Sequence, residues 1–553
     1  MVNPALTKKQ EAVFTPVEDA KKLFQVIYRK QTKKTADDNE AKINVSDLIS
    51  KMAFYYEKIR NSVDYKEEHL LRKNAIERIL KRQIVIESAI SLKDVKSRDI
   101  SKNLLVELIR AGYLPNNSIP ETKIDELDPI VNKYLLLKSR FLEIHKELSV
   151  KEKNEYVRWF IALAASDIEE RIGRNEVNKA TVMYMFDVLK KNIVMPVGSD
   201  YEKDKEIQLY AGLHRNFMKY DEGMIDFIFF KYYIGDWNQA DEGVVVRVVN
   251  DIISVRKAIA TQVTHPLVPQ LDRLIIRYTV FFSILSEVIE ENPIEIYNEI
   301  MNDPKAFPRQ VKKVCAKRYE VTRSKLWRAA VRSIIYIFIT KSVFAFLLEV
   351  PVSKLLGEAI NNSSLLINIT FPPFLLFLVI LFTKLPSEEN TNKIIEGISE
   401  IAFVEKQRKD PYVLRDPAKK KGFLNALFGF IYFVTFFISF GGVIYGLTLI
   451  KFNFVSIVIF LFFLALISFF SIRIRKGAKE LIIIPPKENI FTFIADFFYV
   501  PIVAVGKWLS EKFARINVFV FILDFIIEAP FKIFVEVTEE WTKYVKARKE
   551  EIS

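Results

Sequence analysis

GFLNALFGFIYFVTFFISFGGVIYGLTLIKFNFVSIVIFLFFLALISFFSI runs from Gly422 to Ile472 and holds one charged residue, Lys451. A helix that crosses a bilayer needs about 20 apolar residues. The stretch is long enough for two such helices, 423–450 and 452–472, turning about Lys451. The reading is a multi-pass α-helical membrane protein, and the rest of the chain is read around it.

Toward the N-terminus, 363–383 (SSLLINITFPPFLLFLVILFT) has no charge and reads as another span. Segment 333–350 (SIIYIFITKSVFAFLLEV) is apolar apart from Lys341 and Glu349, and is the weakest of four spans. It is preceded by a basic neck. Residues 305–332 hold Lys305, Arg309, Lys312, Lys313, Lys317, Arg318, Arg323, Lys325, Arg328 and Arg332 against one acid, Glu320. Beside a span, such a cluster is expected to bind anionic lipid headgroups rather than a specific nucleic acid.

The charge bias gives a direction. Segments 305–332, 385–422 and 473–480 carry 22 Lys and Arg, whereas 351–362 and the turn at 451 carry two. Positive charge is retained inside. Both termini and the 385–422 loop are therefore expected in the cytoplasm, with the protein in the cell membrane.

Residues 1–304 carry charge every few positions and read as a cytosolic domain of amphipathic helices. The opening MVNPALTKKQEAVF has no continuous apolar run and does not read as a signal peptide. Thr15-Pro16-Val17-Glu18, Ser149-Val150-Lys151-Glu152 and Asn292-Pro293-Ile294-Glu295 have the spacing of helix-start signals. Val244–Val249 is β-branched, but its flanks favour helix. The loop at 194–204 (VMPVGSDYEKD) is a candidate boundary between two subdomains. With a single cysteine, Cys315, no intramolecular disulfide can form. The expected fold is all-α: a large cytosolic helical domain, a multi-pass bundle, and C-terminal interfacial or re-entrant helices over 481–553. In that last part Asp524, Glu528 and Lys532 fall at i, i+4 and i+8, one polar stripe.

Signatures of catalysis are missing. No GxSxG, GxGxxG, HExxH or CxxC occurs, and none of His69, His145, His214 and His265 has a carboxylate three residues before it. No metal or cofactor is expected, and no stretch carries the signature of a characterised family.

Three features stand above background. Lys341 lies some eight residues into the first span, where a lysine costs about 3 kcal/mol. Glu349 is eight residues on, about 80° round a regular helix, and Lys341 is expected to snorkel to the headgroups without a carboxylate partner. Gly442 and Gly446, four apart, allow close helix approach, within the bundle or between copies. Pro372-Pro373, with Asn368 and Thr370 nearby, interrupts the hydrogen-bond ladder of its span. Asp496, Asp524 and Glu528 are further polar candidates near the membrane.

Three functions are carried forward. The first is a non-enzymatic membrane-anchored interaction or scaffold protein with a protein partner on its cytosolic helices. The second is a transporter or channel subunit acting as a homo-oligomer. The third is a lipid-modifying enzyme using Asp496, Asp524 or Glu528.

Overall fold

The computed structural model describes residues 15–32, 41–61, 67–87, 96–173, 175–291, 293–302, 306–358, 361–417, 422–484 and 490–515, with parts of 537–549. The described chain is almost wholly helical. It divides into two compact units. Of the described residues, one unit holds those in 18–279 and 408–416, and the other those in 15–17, 280–407 and 417–515.

The first unit contains α1 (Glu18–Thr32), α2 (Asp47–Asn61), α3 (Glu68–Lys81), α4 (Ser97–Arg110), α5 (Thr122–Ile144), α6 (Val150–Ile172), α7 (Glu176–Asn192), α8 (Lys205–Asn216), α9 (Glu222–Ile234) and α10 (Glu242–Val263), with α11 (Val268–Glu291) crossing the division. Short polar side chains start four of these helices. Ser149 and Glu152 form the expected reciprocal cap, and Asn175, Asp221 and Asp241 each accept a backbone N–H from the first turn. Asp241 sets Val244–Val249 into α10, where Val245, Val248, Val249 and Ile252 are buried at helical spacing. One core joins α3 to α6 and α8 to α10 around Leu104, Leu137, Phe141, Phe160, Phe229 and Trp237. The 194–204 loop lies within this unit. Its first residue belongs to the two-residue strand β1 (Ile193–Val194), which pairs in parallel with β2 (Tyr412–Val413).

The signal at Thr15 is not a helix start. α1 begins at Glu18, while Pro16 forms an antiparallel bridge with Phe403 and the Val17 N–H donates to the Ala402 carbonyl. A residue before proline is driven to extended backbone, and pairing with 402–404 exploits that.

The second unit adds α12 (Pro293–Asn302), α13 (Ala306–Phe344), a π-helical turn (Ala345–Glu349), α14 (Val350–Leu355), α15 (Asn362–Leu381), α16 (Glu388–Ala402), α17 (Gly422–Leu449), α18 (Phe454–Lys479) and α19 (Ile490–Arg515). The basic neck and the first apolar segment are one helix, α13. Small apolar clusters tie the bundle together, for example Leu326, Ala330, Ile337, Leu376, Ile380 and Ile467. Much of the apolar surface faces outward instead: Phe428, Phe433, Phe437 and Tyr445 of α17 are exposed. Apolar groups turn outward where the surroundings are lipid.

Among the described residues five helices, not four, are long and apolar enough to cross a membrane: Ala306–Leu355, Asn362–Leu381, Ala426–Leu449, Phe454–Lys479 and Phe493–Lys512. The fifth covers a segment expected to be interfacial or re-entrant. It lies in α19, which packs antiparallel on α18. Tyr499 bonds the Ser468 carbonyl at 3.1 Å, and a Cβ placed on Gly506 would fall 1.9 Å from the Ala465 carbonyl oxygen. Glycine permits that approach, a reason that Asp496 and the other charges of the segment conceal.

Candidate functional site

The site arises from a break in the first apolar helix. Pro351 sits in the first turn of α14. It has no N–H for the carbonyl of Leu347 and its ring crowds that carbonyl. The chain answers with the π turn Ala345–Glu349. Such a turn is bonded i→i+5 and advances less per residue than an α-helix. Five such residues remove most of the 80° offset between Lys341 and Glu349. The two side chains that a regular helix would separate come to one face.

Both are inside. Lys341 is 0% exposed and Glu349 2%. The Lys341 ammonium does not snorkel. Its Nζ stands 4.1 Å above the centre of the Phe463 ring and makes no hydrogen bond. Phe344 holds that ring by an edge contact at 5.3 Å. Among the described residues no carboxylate hydrogen-bonds the ammonium, although Glu349 acts on it electrostatically.

Glu349 is held by two other helices. Its Oε1 accepts from Asn368 Nδ2 of α15 and from Ser456 Oγ of α18, each at 2.6 Å. Asn368 Nδ2 also reaches the Ser456 carbonyl at 3.3 Å. Ser456 lies in the first turn of α18, whose cap is Asn453. The positive dipole end of that turn favours a carboxylate. Glu349 Oε2 and Asn368 Oδ1 have no hydrogen-bond partner.

The double proline belongs to the same place. Ser364, Asn368, Pro372, Leu376 and Ile380 are all buried and fall every fourth residue, one inward stripe of α15. Pro372 has no N–H to offer the Asn368 carbonyl, four residues back. Thr370 faces out and bonds the Leu366 carbonyl. From Ser456 to Phe463 the polar set extends about 10 Å along α18. The structure thus unites Lys341, Glu349, Asn368 and Pro372, and adds Ser456, which sequence reading missed. The signal for it was the Asn453-x-x-Ser456 helix start at the head of an apolar run.

No protein-family model, curated protein or solved structure matches this chain.

The other expected residues stand apart. Gly442 and Gly446 have open space where a side chain would be, so neither packs against another described helix. Asp496 is exposed on α19. Asp524 and Glu528 lie outside the described residues, as does Lys305. Of the neck residues, Lys312 pairs with Glu388, Lys313 and Lys317 with Glu291, and Arg318 with Glu287 and Ser283. Arg309 also has an interaction of its own. Arg323, Lys325, Arg328 and Arg332 are exposed around Trp327. Cys315 is buried.

The unit Glu18–Thr279 has a separate cavity of about 620 Å³ beside the part-buried Arg72–Glu169 pair, with His69 and Tyr220 on its wall. Burial lowers the His69 pKa below the usual imidazole range. Among the described residues no group of three or more His, Cys, Asp or Glu is placed to hold a metal ion.

Proposed function

We propose that this chain is a multi-pass protein of the cytoplasmic membrane that moves a small polar solute or ion, with Lys341, Glu349, Asn368 and Ser456 as its site. One observation carries the reading. Among the described residues, three fully buried side chains in an apolar bundle each keep a polar atom without a hydrogen bond: Lys341 Nζ, Glu349 Oε2 and Asn368 Oδ1. Such groups are costly in an apolar medium, and in membrane proteins they mark ion and substrate pathways. The broken helix and the prolines beside them fit the pattern of transport sites. Five candidate spans are few for a monomeric transporter, so the reading includes a homo-oligomer, with the open Gly442–Gly446 face available for contact. In this reading the neck, the 385–422 loop and both ends are cytoplasmic, because 22 of 24 loop Lys and Arg fall on that side.

The test is flux. In proteoliposomes under an imposed alkali-ion or proton gradient, the wild type should support flux above empty vesicles. Glu349→Gln should lower it at least tenfold. Vesicles as tight as empty ones, or equal flux from wild type and variant, would contradict the proposal. The first outcome would favour the scaffold reading, which the cavity beside Arg72 and Glu169 supports as a place for a partner group.

A further inference from the structure

What enters the polar site depends on the groups the site presents. Its chemistry is lopsided. Glu349 Oε2 and Asn368 Oδ1 are acceptors with no donor. The Asn368 carbonyl lacks its regular helical donor because residue 372 is proline. The donors that are present, Asn368 Nδ2 and Ser456 Oγ, are already given to Glu349 Oε1. The remaining donor is the Lys341 ammonium, which rests on the face of Phe463 instead. An acceptor-rich, carboxylate-bearing site of this kind suits a small cation. An anion would meet the Glu349 charge, and an apolar solute would leave both side-chain acceptors unpaired.

We infer that Glu349 and Asn368 bind a small dehydrated monovalent cation, an alkali-metal ion or a proton, and that Lys341 is its tethered competitor. With the site empty, the ammonium balances the carboxylate charge without a hydrogen bond to it. With a cation on Glu349 Oε2 and Asn368 Oδ1, that balance becomes a net positive charge in a poorly screened interior. Cation entry and the Lys341 charge therefore oppose one another. Each can displace the other, and such opposition is how a bound ion drives a change of state. The cation-π contact with Phe463 is then the resting place of an ammonium that the carboxylate does not hold. The first turn of α18 keeps Glu349 Oε1 occupied and leaves Oε2 free.

This inference rests on the transport reading for its purpose, but binding is measured without transport. Purified full-length protein in detergent, in choline-based buffer, is titrated with Na⁺, K⁺ or Li⁺ by calorimetry at pH 8 and at pH 6. An alkali occupant predicts saturable binding of one ion per chain, at least tenfold weaker in Glu349→Gln. It also predicts several-fold tighter binding in Lys341→Met, and weaker binding at pH 6 as protons compete. A proton occupant predicts no alkali binding but an infrared carboxyl band that titrates with pH, is absent from Glu349→Gln and shifts in Lys341→Met. Two results overturn the inference: neither alkali binding nor a Glu349-dependent titration, or alkali binding unaltered by Glu349→Gln. If Lys341→Met binds no more tightly than wild type, the competition is wrong even where the site stands. Binding without flux would refute the transport reading and leave the cation site intact.

Discussion

At the scale of single residues, buried charge is handled in two ways. In the helical unit the buried Lys133 is paired and hydrogen-bonded. Lys133 Nζ donates to Asp167 Oδ2 at 3.1 Å and to the Trp237 carbonyl at 2.9 Å, and lies 4.7 Å from the Trp237 ring centre. Tyr134 donates to the same carboxylate, and Trp237 Nε1 donates to Tyr134. Burial pulls the Lys133 pKa down and Asp167 pulls it back up. Removing one partner of such a set strands the other charge, at about 3–5 kcal/mol. Asp167→Ala should therefore lower the thermal midpoint of the purified chain, followed by circular dichroism, by about 5–10 °C. The double variant Lys133→Met/Asp167→Leu should recover most of the loss. An unchanged midpoint in Asp167→Ala, or a double variant as unstable as the single, would show the network to be energetically idle. Lys341 is the opposite case, equally buried and left without a hydrogen bond. Its identity as an exceptional lysine was legible from its depth in an apolar run. Its enclosure was not, because that depends on Phe463, 122 positions away in the sequence.

At the scale of elements, local signals were readable wherever one side chain caps its own helix. The Ser149–Glu152 box and the Asp241 start of α10 are of this kind. Thr15 failed because pairing with 402–404 lies far along the chain. The π turn was the larger loss. Pro351 announced a break, but an even 100° per residue set Glu349 off the Lys341 face, and only the i→i+5 turn restores it. The fifth apolar helix was hidden by its charges, while Gly506, which allows its packing, carries no signal alone. α13 also shows why a charge count overstates lipid binding. Lys312, Lys313, Lys317 and Arg318 are engaged with acids of this unit, whereas Arg323, Lys325, Arg328 and Arg332 are exposed. We expect these four, nearest the apolar part of the helix, to take the anionic headgroups, at roughly 1 kcal/mol each. Full-length protein purified from anionic membranes and weighed by native mass spectrometry should lose its retained anionic lipid in Arg323→Gln/Lys325→Gln/Arg328→Gln. The variant Lys312→Gln/Lys313→Gln/Lys317→Gln should keep it. The reverse pattern would place lipid contact in the wrong half of the helix.

For the whole molecule, hydropathy and charge bias together frame the account: a charged helical portion, then a short-looped apolar bundle. The division by contacts falls inside α11, between Thr279 and Val280, rather than at the basic neck, because the chain from Val280 onward packs with α13 and its successors. The number of crossings is where parity matters. Five crossings put the two ends on opposite sides; an even number returns residue 553 to the side of residue 300. The charge bias favours the same side, which requires the apolar stretch 513–535 to cross as well if α19 does. Reporter fusions that read sidedness decide this. In the intact cell membrane, fusions at residues 300, 400 and 553 should read cytoplasmic, and one at residue 358 should read external. A fusion at residue 400 that reads external, or one at 358 that reads cytoplasmic, would contradict the membrane path on which the buried site depends.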